Sequence, residues 1–214
     1  YNPNAYSYGC GVDIHHFGKA RRAATKIAKD VALLSGPVLG YIGVVDERMD
    51  YDLLAELADH DPAWNIVVVG PSAKVNPATF PQRQNLHWSG GRDYAALPSY
   101  AKKFDVCLMP FALNEATGYI NPTKALEYMA TGRPIVSSAI EDVVLQFDEI
   151  VSIAATSEEF IAHCEKAISD PDPARIKRGL KLAGQNSWES IVAQLEKHVE
   201  DALTTKRPIA TTAA

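Results

Sequence analysis

Residues 64–70 read Trp-Asn-Ile-Val-Val-Val-Gly and form the strongest strand signal in the chain. The run of β-branched residues places apolar side chains on both faces, which is typical of a parallel strand covered by helices on both sides. Similar runs lie at 37–43, 85–90, 104–110, 133–137 and 149–153. Segments that read as helices lie between and after these runs, at 51–60, 94–103, 122–130, 140–147, 156–169, 173–185 and 187–204. The alternation predicts an α/β fold, a Rossmann-like three-layer sandwich with a mainly parallel sheet, because crossovers between parallel strands are right-handed.

The composition is that of an ordinary globular protein. The 214 residues carry a net charge of −5, with 47% hydrophobic and 22% charged residues, which argues against disordered, collagen-like and disulfide-scaffold classes. The longest apolar run is far shorter than the roughly 18 residues of a membrane-spanning helix, so none is predicted. The net negative charge disfavours bulk binding of nucleic acid, and no such partner is expected. The spacing of Cys10, Cys107 and Cys164 fits neither a zinc ribbon nor a redox pair, which favours a reducing compartment such as the cytoplasm.

The chain divides into three segments by composition. Residues 1–30 are predicted to be a linker and entry segment, 31–203 the Rossmann-like domain, and 204–214 a disordered tail. The first residues lack the charged start of a signal peptide, so the sequence reads as a start in mid-protein. Five basic residues lie between Lys19 and Lys29. They fit a solvated helix or linker face, and they also fit contact with an anionic membrane or phosphate.

Ligands of such sheets bind at the carboxyl ends of strands, near the point where the strand order reverses. Asn121 is a good N-cap residue, Pro122 suits the first helical position, and Gly132 suits the C-cap. The helix between them therefore begins close to the carboxyl end of strand 104–110. Its free N–H groups and positive dipole end form an anion site that suits a diphosphate.

Glu127 lies about 9 Å along this helix from Asn121, too far to contact the same phosphate. Its carboxylate can accept hydrogen bonds from a vicinal diol such as that of ribose. The alternative is a capped surface helix with an ion pair between Lys124 and Glu127. His15 and His16 are adjacent but have no third ligand at metal-site spacing, so no metal site is predicted. The absence of Walker A, Gly-x-Ser-x-Gly and Gly-x-Gly-x-x-Gly patterns disfavours the commonest NTPases, hydrolases and dinucleotide oxidoreductases.

The order of strand, polar loop and helix around Glu127-Tyr-Met-Ala-Thr-Gly-Arg-Pro134 resembles the carboxyl-terminal, nucleotide-sugar-binding half of retaining GT-B glycosyltransferases. Gly11-Val-Asp13, Tyr41-Ile-Gly43 and the strand 85–90 resemble other segments of that family in the same order. The resemblance implies a donor domain for a UDP- or GDP-sugar. The whole enzyme is then expected to transfer a hexose, with retention, to a glycan or lipid-linked acceptor in cell-surface polysaccharide synthesis.

The resemblance also assigns the residues that bind the donor. Glu127 matches the second Glu of the family's Glu-x7-Glu motif, which binds the ribose hydroxyls. Asn121, Pro122 and Thr123 match the turn that holds the distal phosphate and sugar, where Thr123 and Lys124 must supply the N–H donors because proline has none.

Three further positions are implied by the same resemblance. Gly43 matches the loop after the first strand, Arg48 takes the place of the basic phosphate clamp, and the backbone of Gly91 and Arg92 reads the base edge. The first Glu of the motif is replaced by Tyr119, and Glu115 from the longer loop is the candidate substitute carboxylate. Lys124, Arg48 and Glu115 are thus the predicted catalytic residues.

The predicted reaction requires no cofactor or metal, because Lys124, Arg48 and the helix N-terminus neutralise the leaving diphosphate. The acceptor site is expected on a missing amino-terminal domain, so this chain should bind nucleotide but turn over little. The location implied is the cytoplasm, with peripheral contact at the inner membrane face. Two alternatives remain open, a nucleotide-binding module without catalysis and a nucleotide-sugar epimerase of the same fold.

Overall fold

The computed structural model describes residues 5–114, 117 and 123–205. In this part of the chain six strands form one sheet in the order β3-β2-β1-β4-β5-β6, and every neighbouring pair is parallel. The strands are β1 (Val38–Ile42), β2 (Asn65–Val69), β3 (Leu86–Gly90), β4 (Val106–Met109), β5 (Ile135–Ser138) and β6 (Ser152–Ala154). The predicted Rossmann-like fold is confirmed, and the described sheet is parallel throughout rather than mainly parallel.

Helices connect the strands and cover the sheet. They are α1 (Ile14–Phe17), α2 (Tyr51–His60), α3 (Leu97–Ala101), α4 (Thr123–Thr131), α5 (Glu141–Phe147), α6 (Ser157–Ser169), α7 (Pro173–Gln185) and α8 (Trp188–Thr205). The single helix predicted over 94–103 is instead a 3-10 turn, Tyr94–Ala96, followed by α3. Pro98 explains the break, because it has no N–H to donate to the carbonyl of Tyr94 one α-helical turn earlier.

The core lies on both faces of the three central strands. All residues of β1 and β4 and four of the five residues of β2 are buried, as the apolar runs predict. Gly40 in β1 leaves room for the ring of Phe104, which a side chain at position 40 would overlap. Cys107 is fully buried in β4.

The first described residues pack against the sheet domain. Val12 and Phe17 are buried, and Val12 forms a parallel bridge with Ser187 just before α8. The Asp13 carboxylate accepts a hydrogen bond of 2.7 Å from the His16 N–H and so caps α1. These contacts place α1 against α4, the helix that carries the predicted site. Among the described helices, none has the length and apolar character needed to cross a membrane.

Candidate functional site

The strand order reverses between β1 and β4, so the loops that follow these two strands meet at the carboxyl edge of the sheet. Met49 and Phe111 form an antiparallel bridge. The Asp50 N–H donates to the Pro110 carbonyl at 2.9 Å, and the Ala112 N–H donates to the Arg48 carbonyl at 2.9 Å. Backbone hydrogen bonds therefore join the two loops, and together the loops form one wall of the crevice at this switch point.

Gly43 begins the loop after β1 and contacts two other parts of the edge. Its N–H donates to the Val69 carbonyl at 2.9 Å, and a side chain at Gly70 would overlap the Gly43 carbonyl oxygen. A side chain at Gly43 itself would overlap the Lys124 ammonium. The structure thus brings the predicted residues Gly43 and Lys124 into direct contact, and only glycine leaves room for the lysine.

Lys124 extends from the first turn of α4 into this corner. Its ammonium donates to the Ile42 carbonyl and lies 4.8 Å from the centre of the Tyr41 ring. Burial lowers the pKa of Lys124, an effect that the nearby Glu127 carboxylate partly offsets. No described carboxylate lies within ion-pair distance of it. The corner therefore holds a buried cation satisfied by a carbonyl and a ring, an arrangement that attracts an anion.

Glu127 lies one helical turn beyond Lys124 on α4 and is half-buried. Burial raises the pKa of its carboxyl group, and the Lys124 charge lowers it by less. In the described part of the chain it forms neither the ion pair with Lys124 that the surface-helix alternative requires nor a hydrogen bond. Burial raises the pKa of the Tyr94 hydroxyl, and the charges of Asp13 and Glu127 add to this rise.

Arg48 lies in the same corner but already has a partner. Its Nε donates to both carboxylate oxygens of Asp46, at 3.0 and 3.1 Å, and its Nη2 donates to one of them. Burial pushes the pKa of Asp46 upward, but the hydrogen bonds from Arg48 hold it below its ordinary value. The Arg48 side chain is 40% exposed and its charge lowers the pKa of Lys124. Arg48 is thus near the crevice, with Asp46 competing for its charge.

Arg92 fixes the loop after β3 rather than reaching into the crevice. Its Nε donates to the Tyr100 hydroxyl at 2.6 Å and its Nη2 to the Asp30 carboxylate at 3.0 Å. The Tyr100 hydroxyl also donates to Asp30, at 2.7 Å. These bonds hold the backbone of Gly91 and Arg92, the part of the loop that the resemblance implies in base recognition, in one conformation.

His16 and Tyr94 form a site feature that sequence reasoning missed. Their rings stack with centroids 4.0 Å apart and an angle of 12° between planes. His16 is buried, and its Nε2 is a buried polar atom that has no hydrogen-bond partner among the described residues. Burial lowers the pKa of His16, against a hydrogen bond with the Tyr94 backbone that raises it. Tyr94 is 52% exposed, so the His16 ring supports an aromatic surface that is open to a ligand.

The sequence carried one signal for this pair. Tyr94 lies in the loop after β3, where the family resemblance implies that the base is bound. His16 had been considered only as a metal ligand, and in the described residues no group of three His, Cys, Asp or Glu side chains is arranged to hold a metal ion.

Three of the predicted site residues, Glu115, Asn121 and Pro122, lie outside the described residues, as does Tyr119. Thr123 is described and begins α4. Its side chain lines a small cavity together with Gly9 and Phe147.

Another cavity, of about 360 Å³, lies near the amino ends of β5 and β6. Arg133 lines it from just before β5, Ser152 from the start of β6, and Arg175 and Arg178 from α7. Because it opens away from the carboxyl ends of the strands, it is separate from the corner that holds Lys124 and Glu127.

The sheet is that of a doubly wound α/β domain, and Lys124 and Glu127 lie at its reversal point, where domains of this class bind their ligands. The model of the family described as glycosyl transferases group 1 matches residues 36–170. This match covers more than half of the chain, and the chain belongs to that family.

Known proteins with similarity to the chain agree with this family. The putative teichuronic acid biosynthesis glycosyltransferase TuaH of Bacillus subtilis is 26% identical over 186 residues, which is 82% of this chain and 47% of TuaH. A sucrose-phosphate synthase from Thermosynechococcus elongatus superposes with a TM-score of 0.68 at 19% identity, over 92% of this chain and 52% of that one. HepE of Anabaena, solved with UDP and glucose, superposes with a TM-score of 0.65 at 14% identity, over 91% and 55%. The fold is therefore that of half a GT-B glycosyltransferase, and the chain spans about half the length of these relatives.

Proposed function

We propose that this chain is the carboxyl-terminal, donor-binding half of a glycosyltransferase that uses a UDP- or GDP-sugar. The observation that carries the proposal is the buried Lys124 ammonium beside Gly43, with Glu127 one turn further along α4. A diphosphate at the start of α4 would supply Lys124 with an anion, and ribose would supply hydroxyl donors to Glu127. The structure of HepE with UDP and glucose supports a nucleotide-sugar donor for this fold.

In the proposed reaction an acceptor hydroxyl oxygen bonds to the anomeric carbon of the hexose. The bond from that carbon to the phosphate oxygen breaks, and the acceptor proton leaves with the nucleoside diphosphate. The negative charge that develops on the diphosphate is neutralised by Lys124 and, if it exchanges Asp46 for phosphate, by Arg48. We propose that these cations suffice without a divalent metal, and that configuration at the anomeric carbon is retained.

The acceptor and the location belong to the same proposal. Because the chain spans about half the length of its relatives, we propose that the other half binds a glycan or lipid-linked acceptor. The name of TuaH refers to teichuronic acid biosynthesis, which supports a role in polysaccharide synthesis. We propose that this polysaccharide belongs to the cell surface and that the reaction takes place on the cytoplasmic side. The chain alone is then expected to bind nucleotide with little turnover.

Calorimetric titration of the chain with UDP, GDP and TDP tests this proposal. We expect at least one of them to bind with a Kd below a millimolar, and Lys124→Met to weaken that binding about 10–100-fold, as for a lost hydrogen bond to a charged group. Lys181→Met, at an exposed lysine of α7, is the control and should bind like the unmodified chain. Absence of heat with all three nucleotides, or equal binding by Lys124→Met, would contradict the proposal.

A further inference from the structure

The last peptide of β1 has no partner strand on the β4 side. β1 pairs with β2 as far as Ile42↔Val69. Its pairing with β4 stops earlier, at Gly40↔Cys107. If that register continued to Ile42, the N–H that would reach the Ile42 carbonyl is that of residue 110. Residue 110 is a proline and has no N–H to donate, so the backbone groups of Ile42 need other partners.

Helix α4 supplies partners for both of these groups. The Ile42 N–H donates to the Tyr128 hydroxyl oxygen at 2.7 Å, and the same hydroxyl donates to the Ile42 carbonyl at 3.4 Å. The Ile42 carbonyl also accepts from the Lys124 ammonium. Lys124 and Tyr128 are one helical turn apart and lie on the same face of α4. This face of the helix thus takes the place of β4 at the end of β1.

Tyr128 is enclosed by the core and keeps its proton. Its side chain is fully buried, and burial raises the pKa of its hydroxyl well above the ordinary value. The hydroxyl can therefore accept from the Ile42 N–H and donate to the Ile42 carbonyl at the same time. The Lys124 ammonium lies 6.0 Å from the centre of the Tyr128 ring, so the ring borders the lysine as well.

We propose that Tyr128 is a positioning residue of the donor site, which holds the Ile42 peptide so that its carbonyl fixes the Lys124 ammonium at the crevice. The proposal rests on the function proposed above, in which that ammonium binds the diphosphate. Because Tyr128 is fully buried, it acts through Ile42 and Lys124 and not by touching the donor. Without its hydroxyl the Ile42 N–H would be buried and unpaired. The peptide would then turn toward another acceptor and move the carbonyl that holds the lysine.

The alternative is that Tyr128 only fills the core. In that case its ring would stabilise the fold, and its loss would affect all parts of a bound nucleotide alike. A positioning role depends on the hydroxyl, and its loss should affect the phosphates and spare the nucleoside. Tyr128→Phe keeps the ring and removes the hydroxyl, so it separates the two roles.

NMR titration of Tyr128→Phe with three kinds of probe tests the proposal. The probes are a nucleoside diphosphate (UDP or GDP, whichever the unmodified chain binds more tightly), its free nucleoside and inorganic pyrophosphate. We expect the variant to bind the nucleoside diphosphate and pyrophosphate about tenfold more weakly than the unmodified chain does. Its affinity for the nucleoside should stay within about twofold, because the nucleoside does not contact Lys124.

A double-mutant cycle with Lys124→Met shows whether Tyr128 acts through the lysine. In the Lys124→Met background we expect Tyr128→Phe to change the affinity for the nucleoside diphosphate by less than about twofold, because the ammonium that it positions is gone. A loss of core packing would instead multiply with the loss caused by Lys124→Met.

Thr131→Val is the matched control on the same helix. Thr131 is buried, and its hydroxyl donates to the Tyr128 carbonyl at 2.6 Å. The control therefore removes a buried hydroxyl of α4 and leaves the Tyr128 hydroxyl in place. Both variants should have a lower Tm than the unmodified chain, but Thr131→Val should bind the nucleoside diphosphate as the unmodified chain does. Circular dichroism confirms that both are folded.

The possible failures of this proposal differ from those of the proposed function. Tyr128 is not a positioning residue if Tyr128→Phe binds the nucleoside diphosphate like the unmodified chain or loses nucleoside binding equally. The same conclusion follows if its effect is equally large with and without Lys124, or if Thr131→Val weakens binding as much. In these cases the donor site still stands, provided that Lys124→Met weakens binding. Absence of binding by the unmodified chain would overturn the proposed function and this proposal together.

Discussion

Lys124 and Glu127 both lie where burial disfavours the charged form of the side chain. Burial lowers the pKa of the lysine and raises the pKa of the glutamate, and the two do not form an ion pair with each other. A folded chain keeps such groups at a cost in stability, and strongly perturbed groups of this kind are concentrated at functional sites. A ligand that brings an anion to one and hydroxyl donors to the other would relieve both.

Replacement of Glu127 should therefore stabilise the chain while it weakens binding. Because the pKa of Glu127 is raised, the stability that its protonated form provides is complete below its ordinary value near 4.5 and is lost as pH rises through the folded value. Glu127→Gln removes this loss, so we expect its Tm to be about 2–4 °C higher than that of the unmodified chain at pH 7 and equal to it at pH 4. Its affinity for the nucleoside diphosphate should fall about tenfold or more. Thermal melts at both pH values and calorimetry measure these effects, and a lower Tm at pH 7 would count against them.

A substitution at Tyr94 tests binding of the base separately from binding of the phosphates. If the open face of the Tyr94 ring stacks with the base, Tyr94→Ala should weaken nucleoside diphosphate binding about tenfold and leave binding of inorganic pyrophosphate unchanged. Tyr94→Phe keeps the ring and serves as the matched control, with affinity within about twofold of the unmodified chain. Titration of each variant with both ligands gives the result. An equal loss for pyrophosphate would show that Tyr94 acts on the loop and not on the base.

At the scale of elements, the loops at the carboxyl edge are held by close backbone contacts. Gly70 follows β2 and donates its N–H to the Gly90 carbonyl at 3.0 Å, while its Cα faces the Gly43 carbonyl. The three loops after β1, β2 and β3 thus form one packed layer beneath the crevice. This layer sets where Lys124 can extend.

A methyl group at position 70 should push the loops after β1 and β2 apart. Gly70→Ala would place a Cβ on the Gly43 carbonyl oxygen, and we expect a loss of about 2–3 kcal/mol in unfolding free energy, or roughly 5–10 °C in Tm. Gly184→Ala in α7 is the control, because a Cβ there meets nothing within 4 Å and should stabilise the helix slightly. Calorimetric scans of both variants measure these Tm values. Equal Tm values for Gly70→Ala and Gly184→Ala would show that the three loops are not closely packed.

The sequence predicted the elements well because the central strands are buried on both faces and the longer helices have an amphipathic period. It also predicted that Lys124, Glu127 and Gly43 belong to one site. It could not predict where the Lys124 ammonium lies, because that depends on β1, which is distant in sequence and adjacent only in the sheet. The pairing of Arg48 with Asp46 and the stacking of His16 on Tyr94 were missed for a related reason, since side-chain partners are decided by loop geometry.

At the scale of the whole molecule, α8 extends beyond the body of the domain. Ser187 caps it by accepting a hydrogen bond from the Ser190 N–H at 3.1 Å, and Ile191 in its first turn is buried. Beyond that turn the apolar side chains of one helical stripe are 45–69% exposed. They are Val192, Leu195, Val199 and Leu203.

This arrangement predicts a gradient of protection along α8. In the isolated chain we expect backbone amides of residues 195–205 to exchange with deuterium at least 100-fold faster than those of β1 and β4, because few contacts hold the end of the helix. Hydrogen exchange read by mass spectrometry gives the comparison, with α7 as an internal control helix of the same domain. Equal protection of α8 and α7 would show that the stripe is covered.

A crystal structure with UDP or GDP at millimolar concentration would show whether the corner between β1 and α4 binds the nucleotide. We expect phosphate oxygens within hydrogen-bond distance of the Lys124 ammonium and the start of α4, ribose hydroxyls on the Glu127 carboxylate, and the base beside the loop after β3. Nucleotide density elsewhere, for instance in the basic cavity near the amino ends of β5 and β6, with this corner unchanged, would contradict it.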